Sequence, residues 1–224
     1  EGLNADAIFD MLLLQLIVGI CGSRLLFVLE YTPEKLNFRD FLAFEQGGLT
    51  FYGAVISSII FDLLYLKYRK MPFWQVIDCI GYGLPAGIAL ARLGCLLNGC
   101  CYGTSCNLPW AMPFAAAGTG TYHPTQLYES LGALFIWYLL YRLRPWRRNY
   151  GEVFLACMAS YGFLRFFIEF VRAENPVFMA GMTMAQLIGL LMIAGAYVTW
   201  KKIAAGRRQR ILPDQNPIEL ANRS

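Results

Sequence analysis

The chain has 224 residues, of which 57% are hydrophobic, 15% aromatic and 15% charged, with a net charge of +4. A soluble domain carries about a quarter charged residues, and here a mean hydropathy of +0.45 is spread along the whole length. These figures exclude disorder, collagen and coiled coil, argue against a soluble enzyme, and point to an all-α polytopic membrane protein.

Six apolar stretches can cross a hydrocarbon core of about 30 Å, for which roughly 20 helical residues suffice. They are 8–29, 49–66, 73–97, 124–141, 151–171 and 183–200. The runs are continuous rather than alternating, which excludes a membrane barrel. Residues 1–10 carry no basic n-region, so no signal peptide is read there.

The first stretch contains Arg24, a turn or two from its end. The loop 30–48 follows, with Lys35 and Arg39. The second stretch opens on Gln46-Gly47-Gly48-Leu49-Thr50-Phe51-Tyr52-Gly53, where Tyr52 is either a member of the interfacial aromatic belt or a site residue. Lys67, Arg69 and Lys70 separate it from the third stretch, which ends in Arg92-Leu93-Gly94-Cys95-Leu96-Leu97-Asn98-Gly99-Cys100-Cys101-Tyr102-Gly103. Gly94, Gly99 and Gly103 suit close backbone approach or a helix end near a ligand. The thiols lack paired C-x-x-C clamps, and His123 is the only histidine, so no metal site is expected. A disulfide between two of Cys100, Cys101 and Cys106 is expected on an oxidising face, while Cys21, Cys79, Cys95 and Cys157 suit plain packing.

The fourth stretch begins His123-Pro124-Thr125-Gln126-Leu127-Tyr128-Glu129. Proline favours the first helical position, so His123 is expected to be the N-cap. There the helix dipole disfavours the imidazolium and leaves a ring able to accept a proton; a plain capping role fits the spacing equally. Arg142, Arg144, Arg147 and Arg148 precede the fifth stretch, which carries Arg165, Glu169 and Arg172 at spacings that share one helix face. The sixth stretch leads into a tail holding Lys201, Lys202, Arg207, Arg208, Arg210 and Arg223.

Most Lys and Arg thus fall at 67–70, 142–148 and beyond 200. By the positive-inside rule those segments are cytoplasmic, and the loops 30–48, 98–123 and 172–182 face the exterior. The expected organisation is a single bundle over 1–200 with exterior loops at 30–48 and 98–123, followed by a basic cytoplasmic tail, 201–224. Head-group anchoring accounts for the basic clusters, so no nucleic-acid site is expected.

Arg24, Arg92 and Arg165 fall inside spans, where an arginine costs about 2.5–3.5 kcal/mol on insertion scales. Arg24 and Arg92 either snorkel to the interface or line a site; Arg165, nearer mid-span, is harder to explain by snorkelling. One carboxylate, Glu169, between Arg165 and Arg172 leaves a net positive face. Guanidinium forks bind phosphate bidentately, so the chemistry expected of the site is recognition of a phospholipid head group.

Four segments in order resemble the prolipoprotein diacylglyceryl transferase family: Gly47–Gly53, Ala91–Gly103, His123–Glu129 and Tyr161–Arg172. The stretch Gly22–Tyr31 resembles the family's second spanning helix, and the likeness covers about 22–200. It implies seven spans, so one is expected upstream of Glu1. It also implies transfer of a diacylglyceryl group from phosphatidylglycerol to the lipobox cysteine of a prolipoprotein at the bacterial inner membrane, without a cofactor. A thioether forms and glycerol 1-phosphate leaves. Carried over by position, Arg92, Arg165, His123 and Tyr52 are the expected catalytic residues. Arg24, Asn98, Gly99, Gln126, Glu129 and Glu169 are the expected substrate-binding ones. The partners implied are phosphatidylglycerol, the prolipoprotein signal peptide and membrane lipids. The chain departs from the resemblance at Cys95, Cys100 and Tyr52, where many or some members carry Asn, Glu and His. Two other readings are an inactive relative that binds phospholipid or signal sequences, and a lipid or anion transporter. The internal repeat typical of a transporter is not found in the sequence.

Overall fold

The computed structural model describes residues 3–31, 48, 50–172, 177–179 and 181–206. Lys35, Arg39, Gln46, Gly47, Leu49, Arg207, Arg208, Arg210 and Arg223 lie outside the described residues.

Six long helices stand where the apolar stretches predict them: α1 (Ala5–Tyr31), α2 (Phe51–Tyr68), α3 (Phe73–Leu97), α4 (Thr125–Leu143), α5 (Glu152–Ile168) and α6 (Met184–Ala205). Four segments, Ala5–Glu30, Phe73–Leu97, Glu152–Val171 and Met184–Ala205, are long and apolar enough to cross a membrane by length and composition. Helices α2 and α4 are more polar, with Ser57, Ser58, Asp62 and Lys67 on one and Gln126, Glu129, Ser130 and Arg142 on the other. A two-stranded antiparallel hairpin, β1 (Val177–Met179) and β2 (Met182–Thr183), precedes α6. The chain is an all-α, multi-pass membrane protein.

Burial follows the logic of lipid as solvent. Large apolar side chains such as Leu16, Ile59, Leu90, Phe135 and Leu191 face outward, while Asp78, Gln126, Glu129 and Ser130 are buried. Between helices in lipid, apolar burial offers little gain, so small residues and polar pairs hold the bundle.

The helices form two compact units, residues 1–76 and 77–224. In the first, α1 crosses α2 at two glycines: a Cβ on Gly53 would lie 2.5 Å from the Gly22 carbonyl oxygen. Ser57 Oγ donates to Val18 O at 3.2 Å, and Gln15 Nε2 donates to Asp62 Oδ2 at 3.0 Å, so polar links run along the same seam.

In the second unit, α5 and α6 meet the same way, and a Cβ on Gly162 or Gly189 would lie 2.7 Å from the other's carbonyl oxygen. Asp78 of α3, fully buried, accepts from the backbone N–H groups of Gly151 at 2.7 Å and Phe154 at 3.0 Å, with Arg147 NH1 at 3.8 Å. It satisfies the orphan donors at the start of α5, where Gly151 (φ 97°) has no side chain to do so. Ile136 and Leu140 of α4 pack with Val153 and Cys157 of α5, and Tyr161 and Leu164 lie against this cluster.

Two boundaries differ from the sequence expectation. Helix α4 starts at Thr125 with Pro124 as its N-cap, so His123 lies one residue outside. The cause is local pairing: His123 N–H donates to Thr104 O at 3.1 Å and His123 O accepts from Gly103 N–H at 2.8 Å, which holds the residue extended. Helix α5 ends at Ile168 and tightens into a 3₁₀ turn, Glu169–Val171. Arg172 is therefore extended (φ −90°, ψ 136°) and bridges Gly103 rather than continuing the helix face of Arg165 and Glu169.

Candidate active site

Glu129 of α4, 2% exposed, is the hub of the second unit. Its Oε2 lies 3.0 Å from Arg92 Nε of α3 and 3.4 Å from Arg165 NH1 of α5. Its Oε1 accepts a 2.7 Å hydrogen bond from the Tyr161 hydroxyl. Arg165 NH2 continues to Glu169 Oε2 at 3.1 Å, four residues along, and Glu169 Oε1 accepts from Thr183 Oγ1 at 2.8 Å. Thr183 is itself fixed as the N-cap of α6 by a reciprocal capping box with Gln186.

The quartet of Arg92, Arg165, Glu129 and Glu169 is charge-balanced. The positive excess expected from α5 alone is absent from it because Arg172 leaves the helix face, while Arg92 and Glu129 enter as an oppositely charged pair. Arg92 spends only Nε on this network. Its terminal nitrogens make no hydrogen bond among the described residues, and its side chain is 21% exposed. That fork is free to take two oxygens of an anion.

His123 and Gln126 sit at the start of α4. Tyr128 OH lies 3.2 Å from His123 Nδ1 and accepts from Trp110 Nε1 at 2.8 Å, so the Nδ1 side of the ring is engaged. Gln126 is 1% exposed; its Nε2 donates to Cys100 O at 2.6 Å, and its buried Oε1 has no hydrogen-bond donor among the described residues. Gly103 lies where the chain passes closest: a Cβ there would overlap Val171 O and come within 2.7 Å of His123 Cβ. Only glycine permits that approach. Gly99 adopts φ 68°, ending α3 in the left-handed region, whereas Gly94 faces open space.

All seven cysteines are thiols, so the expected disulfide is not formed. Consecutive Cα atoms lie about 3.8 Å apart, below the usual disulfide range, which disfavours Cys100 with Cys101. Cys106 is drawn away by pairing with Thr121, its N–H donating to Thr121 O at 2.9 Å. Hydrogen bonding, first from the Asn98 side chain, holds the Cys100 thiol below its ordinary range. Burial pushes the Cys101 thiol up to about 11.

The other two predicted residues belong to the first unit. Arg24 is 4% exposed, donates from NH1 to Gly48 O at 3.2 Å and lies 5.5 Å from the Phe27 ring centre. Tyr52, in the first turn of α2, is 64% exposed.

A family model described as prolipoprotein diacylglyceryl transferase matches residues 1–201. The chain belongs to this family. Among curated relatives, the phosphatidylglycerol–prolipoprotein diacylglyceryl transferase of Desulfotalea psychrophila is 34% identical over 209 residues, covering 88% of this chain and 76% of the relative. The enzyme of the same name from Finegoldia magna is 31% identical, covering 90% of this chain and 81% of its own. That from Verminephrobacter eiseniae is 33% identical, covering 88% and 75%.

Within this diacylglyceryl transferase framework the structure brings Arg92, Glu129, Arg165 and Glu169 together, with Gln126 joined to the Cys100 backbone. Tyr161 and Thr183 join the site as residues that the sequence motifs do not single out. Tyr161 lies four residues before Arg165, hence on its face, and Thr183-Met184-Ala185-Gln186 is a legible capping box.

Proposed function

We propose that the chain transfers the diacylglyceryl group of phosphatidylglycerol to the lipobox cysteine thiol of a prolipoprotein. The observation that carries this reading is the buried Arg92–Glu129–Arg165–Glu169 network, in which Arg92 keeps its terminal nitrogens for an anion. In a membrane protein the anion within reach is a lipid phosphate.

The thiolate attacks the glyceryl carbon bearing the phosphate. A sulfur–carbon bond forms, the carbon–oxygen bond breaks, and glycerol 1-phosphate departs with the electron pair. Arg92 and Arg165 stabilise the charge gathering on the phosphate oxygens. Glu129 holds both guanidinium groups in place, and Tyr161 and Thr183 hold the two carboxylates. The thiol has a reference pKa near 8.5, so a modest base suffices. His123, with Nδ1 engaged by Tyr128, offers Nε2 for that proton; Tyr52 is a second candidate on its motif alone. Gln126 Oε1 and Asn98 are assigned to substrate hydrogen bonds, Arg24 and Gly99 to lipid binding on the same motif basis. The basic segments at 67–70, 142–148 and beyond 200 support a cytoplasmic C-terminus, with the site toward the exterior of a bacterial inner membrane.

The test is mass spectrometry of a lipobox peptide incubated with the purified protein and phosphatidylglycerol. A diacylglyceryl adduct on the peptide cysteine that disappears in Arg92→Ala and Arg165→Lys is the expected result. No adduct from folded protein that still binds phosphatidylglycerol would make the chain a binding relative instead.

A further inference from the structure

We propose that Cys95, Cys100 and Cys101 form a three-thiolate site for a soft cation of the Zn²⁺ class. Their sulfur atoms all lie within 4.8 Å of one another, and those of Cys100 and Cys101 are 3.6 Å apart. Zinc–sulfur bonds of about 2.3 Å demand a sulfur–sulfur edge of about 3.8 Å in a tetrahedral site. The three thiols therefore close on an ion with a movement of about 1 Å.

The convergence comes from the backbone, which is held independently of the sulfur atoms. Helix α3 ends at Leu97, and two left-handed residues, Gly99 (φ 68°) and Cys101 (φ 66°), turn the chain back on itself. Cys100 N–H then donates to Cys95 O at 3.2 Å, and Cys100 Sγ lies 3.7 Å from the same carbonyl. Helix α4 fixes the turn from outside: Thr125 Oγ1 donates to Cys101 O at 2.7 Å and Gln126 Nε2 to Cys100 O at 2.6 Å. A left-handed cysteine persists only where neighbours over-determine it, and these two bonds do so.

The donor set selects the ion. Three sulfurs with no carboxylate or imidazole in the group suit thiophilic cations and reject Mg²⁺ and Ca²⁺. Three thiolates around a divalent ion leave one excess negative charge. Arg172 acts electrostatically on Cys101, and Arg92, itself paired with Glu129, acts on Cys95, so a guanidinium lies on each flank of the trio. The Arg172 Nε is buried and has no hydrogen-bond acceptor among the described residues. Each thiol that ligates gives up its proton, so binding releases protons to solvent.

The site stands whether or not the chain is a transferase, and its test reads binding alone. The full chain, purified in detergent with a phosphine reductant, is titrated with Co²⁺ as the chromophoric probe and then with Zn²⁺. One equivalent of Co²⁺ should develop thiolate-to-cobalt charge-transfer absorption, and one equivalent of Zn²⁺ should abolish it. Cys95→Ser, Cys100→Ser and Cys101→Ser should each weaken Co²⁺ binding at least tenfold, and Cys106→Ser should leave it unchanged. Tryptophan emission and gel-filtration position report that the variants are folded. The absence of a charge-transfer band in the unmodified chain overturns the proposal without recourse to any variant. So does a band that survives all three substitutions, or one lost with Cys106→Ser.

Discussion

Replacing Glu129 with Gln keeps the side chain's shape and removes its charge, taking the buried quartet from neutral to +1. The carboxylate touches two guanidinium groups, at 3.0 and 3.4 Å, and is itself 2% exposed. Removing one partner of a buried ion pair costs about 3–5 kcal/mol. At about 1.4 kcal/mol per tenfold, that is roughly two to three and a half powers of ten in the folding equilibrium. The lower end is expected, because the Arg92 and Arg165 side chains keep 21% and 13% exposure and can lean toward interfacial water. A second substitution separates charge imbalance from lost packing. Arg92→Gln added to Glu129→Gln restores neutrality, so the double variant should be less destabilised than the sum of the singles, by about 0.5–3 kcal/mol. The assay is reversible unfolding in mixed micelles, followed through the emission of the chain's 5 tryptophans. A Glu129→Gln variant within about 0.5 kcal/mol of the parent, or a strictly additive double variant, would refute the view that Glu129 holds the arginines.

Asp78→Asn should cost about 1.5–3 kcal/mol for each charge-assisted bond weakened at Gly151 and Phe154, and Asp78→Ala more, by the same unfolding measurement. Gly162→Ala should push α5 from α6, because the new Cβ would meet the Gly189 carbonyl at 2.7 Å; the expected loss is about 1–3 kcal/mol. Gly83→Ala, where a Cβ meets nothing within 4 Å, should be neutral or stabilise by roughly 0.5–1 kcal/mol. Thr183→Ala removes both the α6 cap and the hydroxyl on Glu169, for about 0.5–2 kcal/mol from the cap alone. Thr183→Ser should recover most of it, and failure to do so would place the threonine's value in its methyl group.

The helices were legible because depth in a bilayer is set by hydropathy, and long apolar runs report it directly. How each helix is turned about its axis was far less legible. Lipid does not distinguish one apolar face of a helix from another, so rotation is decided by polar pairings between helices. Arg165 and Glu169 could be paired from spacing, since both lie on one helix. The pairing of Arg92 with Glu129 needs α3 set against α4, which periodicity does not supply, and the positive excess expected on α5 vanishes because the 3₁₀ turn Glu169–Val171 takes Arg172 off that face. A His-Pro step suits an N-cap, yet His123 lies one residue outside α4 because its backbone pairs with Gly103 and Thr104. The thiol trio was hidden for a different reason. Its spacing matches no clamp, and it exists because Cys101 occupies a left-handed position that residue preferences assign to glycine or asparagine. Thr125 and Gln126 hold that strained turn by bonding its two carbonyls. The same α4 start that carries Glu129 to the arginines therefore also gathers the sulfur atoms, so the first two turns of α4 organise both sites.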